Sequence, residues 1–309
     1  MDAREPLVSA VIATNRASPF LLEAVDSVRE QIYGRIELVV VDDGSDAAAA
    51  AAIAEAAARH PRSRVIRQTA AGVAAARNRG AEQSEGDFLA FLDDDDRWHP
   101  DRIAAHVAAH RAMPDAVASY CRMQTVDEEG RVLVEADQAA VRSRAEIAAR
   151  RTGIIAPNLF VARTAFDDAG GFPVGMRYAE DLELVLRLAA RGPFAFAADG
   201  LVDYRAHGGN TTRNHRALVV AIDEVLRRNL AQAVAAGDDA VVEGLRESIR
   251  KNDRFAWWGA ARAARARLAD REPVAALGEL WWALRTSPRG LGDGLTRRIA
   301  AGRSEQAAD

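Results

Sequence analysis

Two carboxylate runs, Asp42-Asp43 and Asp93-Asp94-Asp95-Asp96, have the residue types and placement to do chemistry. Each follows a short apolar run, Glu37–Val41 and Asp87–Leu92, of the kind a buried parallel strand shows. In open α/β sheets ligands bind beyond the carboxyl ends of the strands. Carboxylates placed there can accept hydrogen bonds from a ribose or a base, or hold a hard cation. Two of them at i and i+2 in a turn offer oxygen ligands to magnesium or manganese and leave the other positions to a diphosphate. One such cluster alone reads equally well as a solvated turn. Two at the same edge of one sheet favour binding.

Composition removes several classes of function. The chain has 309 residues with 41 basic and 45 acidic side chains, a net charge of −4, so nucleic acid is not an expected partner. The single cysteine, Cys121, forbids an intramolecular disulfide and a cysteine-built zinc site, and suits a reducing compartment. No apolar run reaches the ~18–20 residues of a membrane span, and the polar start is unlike a signal peptide, so the expected location is the cytoplasm. Lys251 is the only lysine and follows Ile249-Arg250 in a polar helical pattern. A phosphate-cradling P-loop and a pyridoxal-phosphate Schiff base, both of which need a lysine, are therefore disfavoured.

The elements that must position these acids alternate. Leu7–Ala13 reads as a strand, Ser18-Pro19 as the N-cap and first position of a helix carrying Leu21, Val25, Val28 and Ile32 on one face, and Gly34 as its end. Glu37–Val41 is a second strand, an alanine-rich helix runs to about Arg59, and Val65-Ile66 is a short third strand. A helix over Gly72–Glu82 precedes the fourth strand, Asp87–Leu92. This order predicts right-handed βαβ units and a parallel sheet. Beyond Pro100 the pattern predicts a helix over 101–113, a strand over 116–123 and a helix over 180–191. From His215 onward it is almost all helix, with breaks at Gly237 and Pro273.

Several ordered segments together resemble the inverting family 2 glycosyltransferases, which have the GT-A fold, over about Leu7 to Thr212. They are Val11–Arg16, Val41–Ser45, Ala76-Arg77-Asn78 with Gly80, and Gly86-Asp87 leading into Phe91–Asp96 with Trp98 and Pro100. Gly170-Gly171-Phe172, Glu180-Asp181 with Arg187, and Tyr204-Arg205 with His207 follow. The resemblance implies a Rossmann-like mixed sheet flanked by helices, with a nucleotide-sugar-binding and catalytic domain over 1–214 and a helical C-terminal extension over 215–309. It implies transfer of a sugar from a nucleoside-diphosphate sugar, with a UDP-sugar the first candidate, to an acceptor hydroxyl on a carbohydrate or small molecule. Thr14, Asn15, Arg16, Asp42, Asp43, Arg77, Asp93 and Asp94 would contact the donor. Asp93 and Asp95 would be the outer members of the DXD motif, and with His207 would hold Mn²⁺ or Mg²⁺; the direct ligand stays open between Asp94 and Asp95. Asp181 would be the general base that takes the acceptor's proton, although acids are also favoured in a first helical turn for electrostatic reasons alone.

Three rival readings remain. A haloacid-dehalogenase-type phosphatase and a sugar nucleotidyltransferase would each need lysines that this chain lacks, and a glycosyltransferase-like binding or scaffold protein need not keep Asp93, Asp95 and Asp181. Four of the five tryptophans, Trp257, Trp258, Trp281 and Trp282, fall in the tail, where residues 250–309 carry 12 basic and 7 acidic side chains. Such a segment predicts helices packed on the catalytic domain and a homodimer contact through these rings, with peripheral contact to an anionic membrane as the alternative.

Overall fold

The computed structural model of the chain describes residues 4–210 and 214–290. Thr212, where the family resemblance ends, and residues 291–309 of the expected helical extension lie outside the described residues. Two compact units are distinguished, Met1–Gly208 and Gly209–Asp309.

In the first unit the opening half alternates as the apolar runs predict. It comprises β1 (Val8–Thr14), α1 (Leu21–Arg29), β2 (Ile36–Asp43), α2 (Ala47–Ala57), β3 (Ser63–Gln68), α3 (Val73–Glu82) and β4 (Phe88–Asp93). There follow β5 (Arg97–Trp98), α4 (Arg102–Ala112), β6 (Ala118–Val126), β7 (Val132–Val134), α5 (Arg144–Ala148), β8 (Leu159–Ala162), α6 (Arg163–Asp168), α7 (Glu180–Ala189) and β9 (Phe194–Arg205). One sheet runs β3-β2-β1-β4-β8-β6-β9-β5, with β7 paired to β6. The strands β3, β2, β1 and β4 are parallel, and β8 lies antiparallel between β4 and β6. The sheet is therefore mixed, as the family resemblance implies, and the parallel pairing expected from the alternation holds for the four strands that alternate.

Strand alternation divides the core between the two faces. Val8, Ala10 and Ile12 of β1, Leu38 and Val40 of β2, and Ala90 and Leu92 of β4 pack with Leu21, Val25 and Ile53 of the helices on one side. Leu89 and Phe91 of β4 point the other way, to Phe166, Phe172, Leu184 and Leu188. On that second face α3 comes close: a Cβ on Gly80 would stand 2.4 Å from Val11 Cγ1, so only glycine allows this approach.

Two local expectations are corrected. Ser18 does not cap α1: the helix starts at Leu21, no side chain caps it, and Ser18 Oγ accepts from the backbone N–H of Phe20 at 3.2 Å. The helix also stops at Arg29 instead of running on towards Gly34, which leaves Ile32 65% exposed. Past that end the backbone leaves the helical ladder: Gln31 N donates to Val28 O at 3.4 Å and Ile32 N to Pro100 O at 3.0 Å, while Gln31 Nε2 donates to Ser27 O at 2.9 Å. The strand β9 was not anticipated. Its apolar pattern is broken at Asp199-Gly200, where its register against β6 shifts.

In the second unit α8 (His215–Ala236), α9 (Asp239–Ala269) and α10 (Pro273–Thr286) follow one another with short connections. Gly237 ends α8 at φ +68, Asp238 caps α9 by accepting from Val241 N at 3.1 Å, and Pro273 opens α10. Both breaks predicted from the sequence fall at these ends. None of the described helices is long and apolar enough to cross a membrane.

The Gly170-Gly171-Phe172 turn is tied to α3 by one side chain. Asn78 donates to Phe172 O and accepts from Phe172 N, both at 2.8 Å, as a strand partner would. Asn78→Ala would leave both backbone groups short of a partner, and urea unfolding should show a loss of about 2 kcal/mol; an unchanged midpoint would show that the turn does not depend on this pair.

Candidate active site

Register places the acidic residues side by side. Thr14 at the end of β1 pairs with Asp42 at the end of β2, and Ala13 pairs with Asp93 at the end of β4. The two acidic runs thus share one edge of the parallel half of the sheet.

Asp42 and Asp43 are both buried, and they are held by the loops around them. Asp42 Oδ1 accepts from Ser45 N at 2.9 Å, with Arg67 Nε 3.5 Å from its other oxygen. Asp43 accepts from Gln68 Nε2, Ala71 N and Gly72 N, each at 2.8 Å. Gly44 turns at φ +80 against Ala70, and this close fit holds the two segments together.

The four-aspartate turn gives each member a separate environment. Asp94 is buried and touches Thr14 Oγ1 at 2.5 Å, while the same hydroxyl lies 2.6 Å from Arg16 O. A hydroxyl has one proton, so both contacts are satisfied together only when Asp94 carries a proton of its own. Burial pushes the Asp94 carboxyl up to about 6, with the Thr14 contact acting against it. Among the residues expected to touch the donor, Asp94 is therefore turned into the fold, whereas Asn15 and Arg16 are exposed.

Asp95 faces the late loop. Its Oδ2 lies 2.8 Å from His207 Nε2 and 3.8 Å from Arg16 Nη2, so the structure brings together three residues from the segments that follow β1, β4 and β9. Burial and the Asp93 charge raise the Asp95 carboxyl, and His207 and Arg16 hold it down.

Asp96 was not among the residues expected at the site. It is fully buried, accepts from Arg205 N at 2.8 Å through Oδ1, and has no hydrogen-bond partner at Oδ2. Burial first, then Asp93 and Asp95, push its carboxyl well above the usual aspartate range. Oxygens of Asp93, Asp95 and Asp96 lie within 4.8 Å of one another. Three crowded carboxylates, one with an orphaned buried oxygen, fit an oxygen-preferring divalent cation.

Arg205 fastens this turn from behind. Its Nε donates to Asp95 O at 3.0 Å, its Nη2 to Glu23 at 2.7 Å, and its guanidinium stacks on Phe20 at 4.3 Å. Only its place in the Tyr204-Arg205 motif marked it in the sequence.

Arg77 does not lie open beside a pyrophosphate. It is buried, and pairs with Asp93 through Nη2 and with Glu180 Oε1 through Nη1 at 2.9 Å, 5.2 Å from the Phe172 ring. Burial acts against its charge, but Asp93, Glu180 and Asp181 outweigh that and raise it. Through this link the end of β4 meets the start of α7.

Asp181 sits in the first turn of α7, after Ala179 in the left-handed conformation at φ 59. It accepts from Leu182 N at 2.7 Å. Burial raises its carboxyl, opposed by Arg77 and Leu182 N, while Asp93 adds to the rise and Arg150 lowers it. Arg150, a half-buried residue at φ 49 within the charge field of Asp181, stood out in no sequence pattern.

Comparison with known proteins places this geometry. Residues 9–154 match the family described as glycosyl transferase family 2. The chain is 28% identical over 211 residues to the chondroitin synthase of Escherichia coli, covering 68% of this chain and 30% of that protein. It is also 28% identical over 262 residues to the O-antigen biosynthesis protein RfbC of Myxococcus xanthus, covering 80% of this chain and 20% of that one. The chain thus spans less than a third of these curated relatives. Among solved structures it resembles S. aureus TarS in complex with UDP-GlcNAc, with a TM-score of 0.63 at 16% identity over 93% of this chain and 92% of that one. It also resembles the mannosyltransferase PcManGT of Pyrobaculum calidifontis in complex with GDP-Man and Mn2+, with a TM-score of 0.60 at 18% identity over 94% and 88% of the two chains. At these identities the likeness establishes the fold, which is GT-A. The family match runs from β1 to the loop ahead of β8 and takes in every strand end that carries an acidic turn, while Glu180-Asp181 lie beyond it. By that match and by its named relatives, residues 9–154 carry a glycosyltransferase family 2 domain.

Proposed function

We propose that the chain is a metal-dependent, inverting glycosyltransferase that moves a sugar from a nucleoside-diphosphate sugar, with a UDP-sugar the first candidate, to an acceptor hydroxyl. The observation that carries this reading is the crowding of Asp93, Asp95 and Asp96 at one strand end, joined by Arg77 to the Glu180-Asp181 helix start. Asp42, Asp43, Asn15 and Arg16 would hold the nucleoside from the neighbouring strand ends. Asp93 and Asp95, with Asp96 behind them and His207 at the loop, would hold Mn²⁺ or Mg²⁺. When bound, the cation supplies charge stabilisation to a departing diphosphate.

The chain's own residues account for the rest. Arg77 fixes Asp93 and Glu180 in one geometry, so the donor edge and the α7 start keep a constant separation. Asp181 would accept the proton of the acceptor hydroxyl as that oxygen attacks the anomeric carbon opposite the leaving diphosphate. A half-buried carboxylate with a raised affinity for protons is better suited to this than an exposed one. Cys121 is a buried free thiol, which would suit a reducing compartment such as the cytoplasm. A second copy or a lipid surface is the partner to be expected at the tail.

Asp95→Asn should abolish the manganese-enhanced binding of nucleoside diphosphate measured by calorimetry; equal affinity with and without a chelator in the wild type would remove the metal from this reading. Asp181→Asn should leave donor affinity nearly intact while turnover falls ~10²–10⁴-fold. Product NMR should show the anomeric configuration opposite to that of the donor, and retention would rule out a single displacement. Because the base acts only when deprotonated and its carboxyl is raised, the wild-type rate should fall on the acid side at a pH above the ordinary aspartate range near ~4. An acid limb that stays in place in Asp181→Asn would assign that proton to another group.

A further inference from the structure

α10 is turned inside out for a helix in water. Its inward side carries Ala276, Ala283 and Glu279, and Glu279 is bound by Arg216 at 2.8 Å with His215 at 3.5 Å. Its large apolar residues face outward: Val274 is 82% exposed, Leu277 67%, Trp281 60% and Leu284 41%. At 100° per residue these positions, with Leu280, fill one continuous stripe about 120° wide, the width that normally faces a core. On the neighbouring α9, Trp258 and Leu268 are 57% and 56% exposed. The other two rings of the tail are engaged within the unit: Trp257 Nε1 donates to Ser287 O at 2.8 Å, and Trp282 stands edge-on to His215 at 5.4 Å.

Charge selects the occupant of this face. Residues 250–290 contain nine basic side chains and four acidic ones, a local net of +5 in a chain whose total is −4. The basic set includes the exposed Arg265 and Arg285, the latter bordering the apolar stripe, and Arg262 stacks on Trp258 at 4.0 Å. A second copy meeting the same face across a two-fold axis would bring +5 against +5. An anionic lipid headgroup layer instead matches both properties, accepting tryptophan and leucine at its boundary and arginine among its phosphates. We propose that α10, with the exposed end of α9, docks on an anionic membrane surface with the Val274–Leu284 stripe lying in the interface.

Sedimentation of the full chain with vesicles tests this. Phosphatidylcholine vesicles containing phosphatidylglycerol should carry the protein down, pure phosphatidylcholine vesicles should not, and added salt should weaken the association. Leu277→Glu/Trp281→Glu, both at outward positions, should lower the partition at least ~10-fold with helical content unchanged by circular dichroism. Arg265→Gln and Arg285→Gln should each lower it by roughly five-fold. Nucleoside diphosphate binding should be unaffected by all of these variants, so failure here is separable from failure of the donor-site reading. A wild type that stays in the supernatant with anionic vesicles, or a double glutamate variant that sediments as well as the wild type, would overturn the proposal. So would a dimer in light scattering that the double variant splits, which would give the face to a second copy.

Discussion

The guanidinium of Arg77 is the contact on which the site depends. A buried cation is costly unless matched, and here it is matched twice, by Asp93 from the sheet and by Glu180 from α7. The benefit is mutual. Asp93, Glu180 and Asp181 are acids brought close in a partly dry place, where burial raises the carboxyls of Glu180 and Asp181. Arg77 holds Asp93 and Glu180 in place, and at Glu180 it opposes the rise to about 7 that burial and Asp181 produce. Phe172 lies beside the guanidinium, and Asn78, one residue on from Arg77, holds the Phe172 backbone. Three motif segments far apart in the chain are thus parts of one joint.

A second joint works behind the acidic turn. Arg205, the last residue of β9, grips the Asp95 carbonyl and presents its backbone N–H to Asp96, while reaching Glu23 on α1. The two arginines approach the same four residues from opposite directions. The turn after β4 is therefore set by long-range ion pairing as well as by its own backbone, and Asp93, Asp95 and Asp96 keep their crowding because other elements hold them there.

Much of this was legible in the sequence. Buried strands betray themselves by unbroken apolar runs, so β1, β2 and β4, and hence the acids at their ends, could be placed before any coordinates. Periodicity found α7 and the three tail helices. The strands β8 and β9 were less visible: β8 has four residues, and β9 is split by Asp199-Gly200, where its register slips. At the site, residue type did not reveal the setting of two residues: Arg77 bridges two carboxylates, and Asp94 points into the fold towards Thr14. Asp96 and Arg150 could not be singled out, because their importance lies in burial and in what packs against them. In the tail, tryptophan content drew attention to the segment, but only exposure separates Trp258 and Trp281 from Trp257 and Trp282.

The division of β1, β2 and β4 between two cores has a consequence for how this scaffold can change. Neighbouring residues on each strand belong to opposite faces, so sliding β4 by one residue against β1 would exchange Leu89 and Phe91 with Ala90 and Leu92 in both cores at once. Gly80, seated against Val11, closes off the same movement from the helix side. Insertions and deletions are thereby kept out of the strands and confined to the connections beyond their ends. Variation in what the scaffold recognises can then accumulate in those connections, while the spacing between Asp42 and Asp93 is inherited as a property of the sheet.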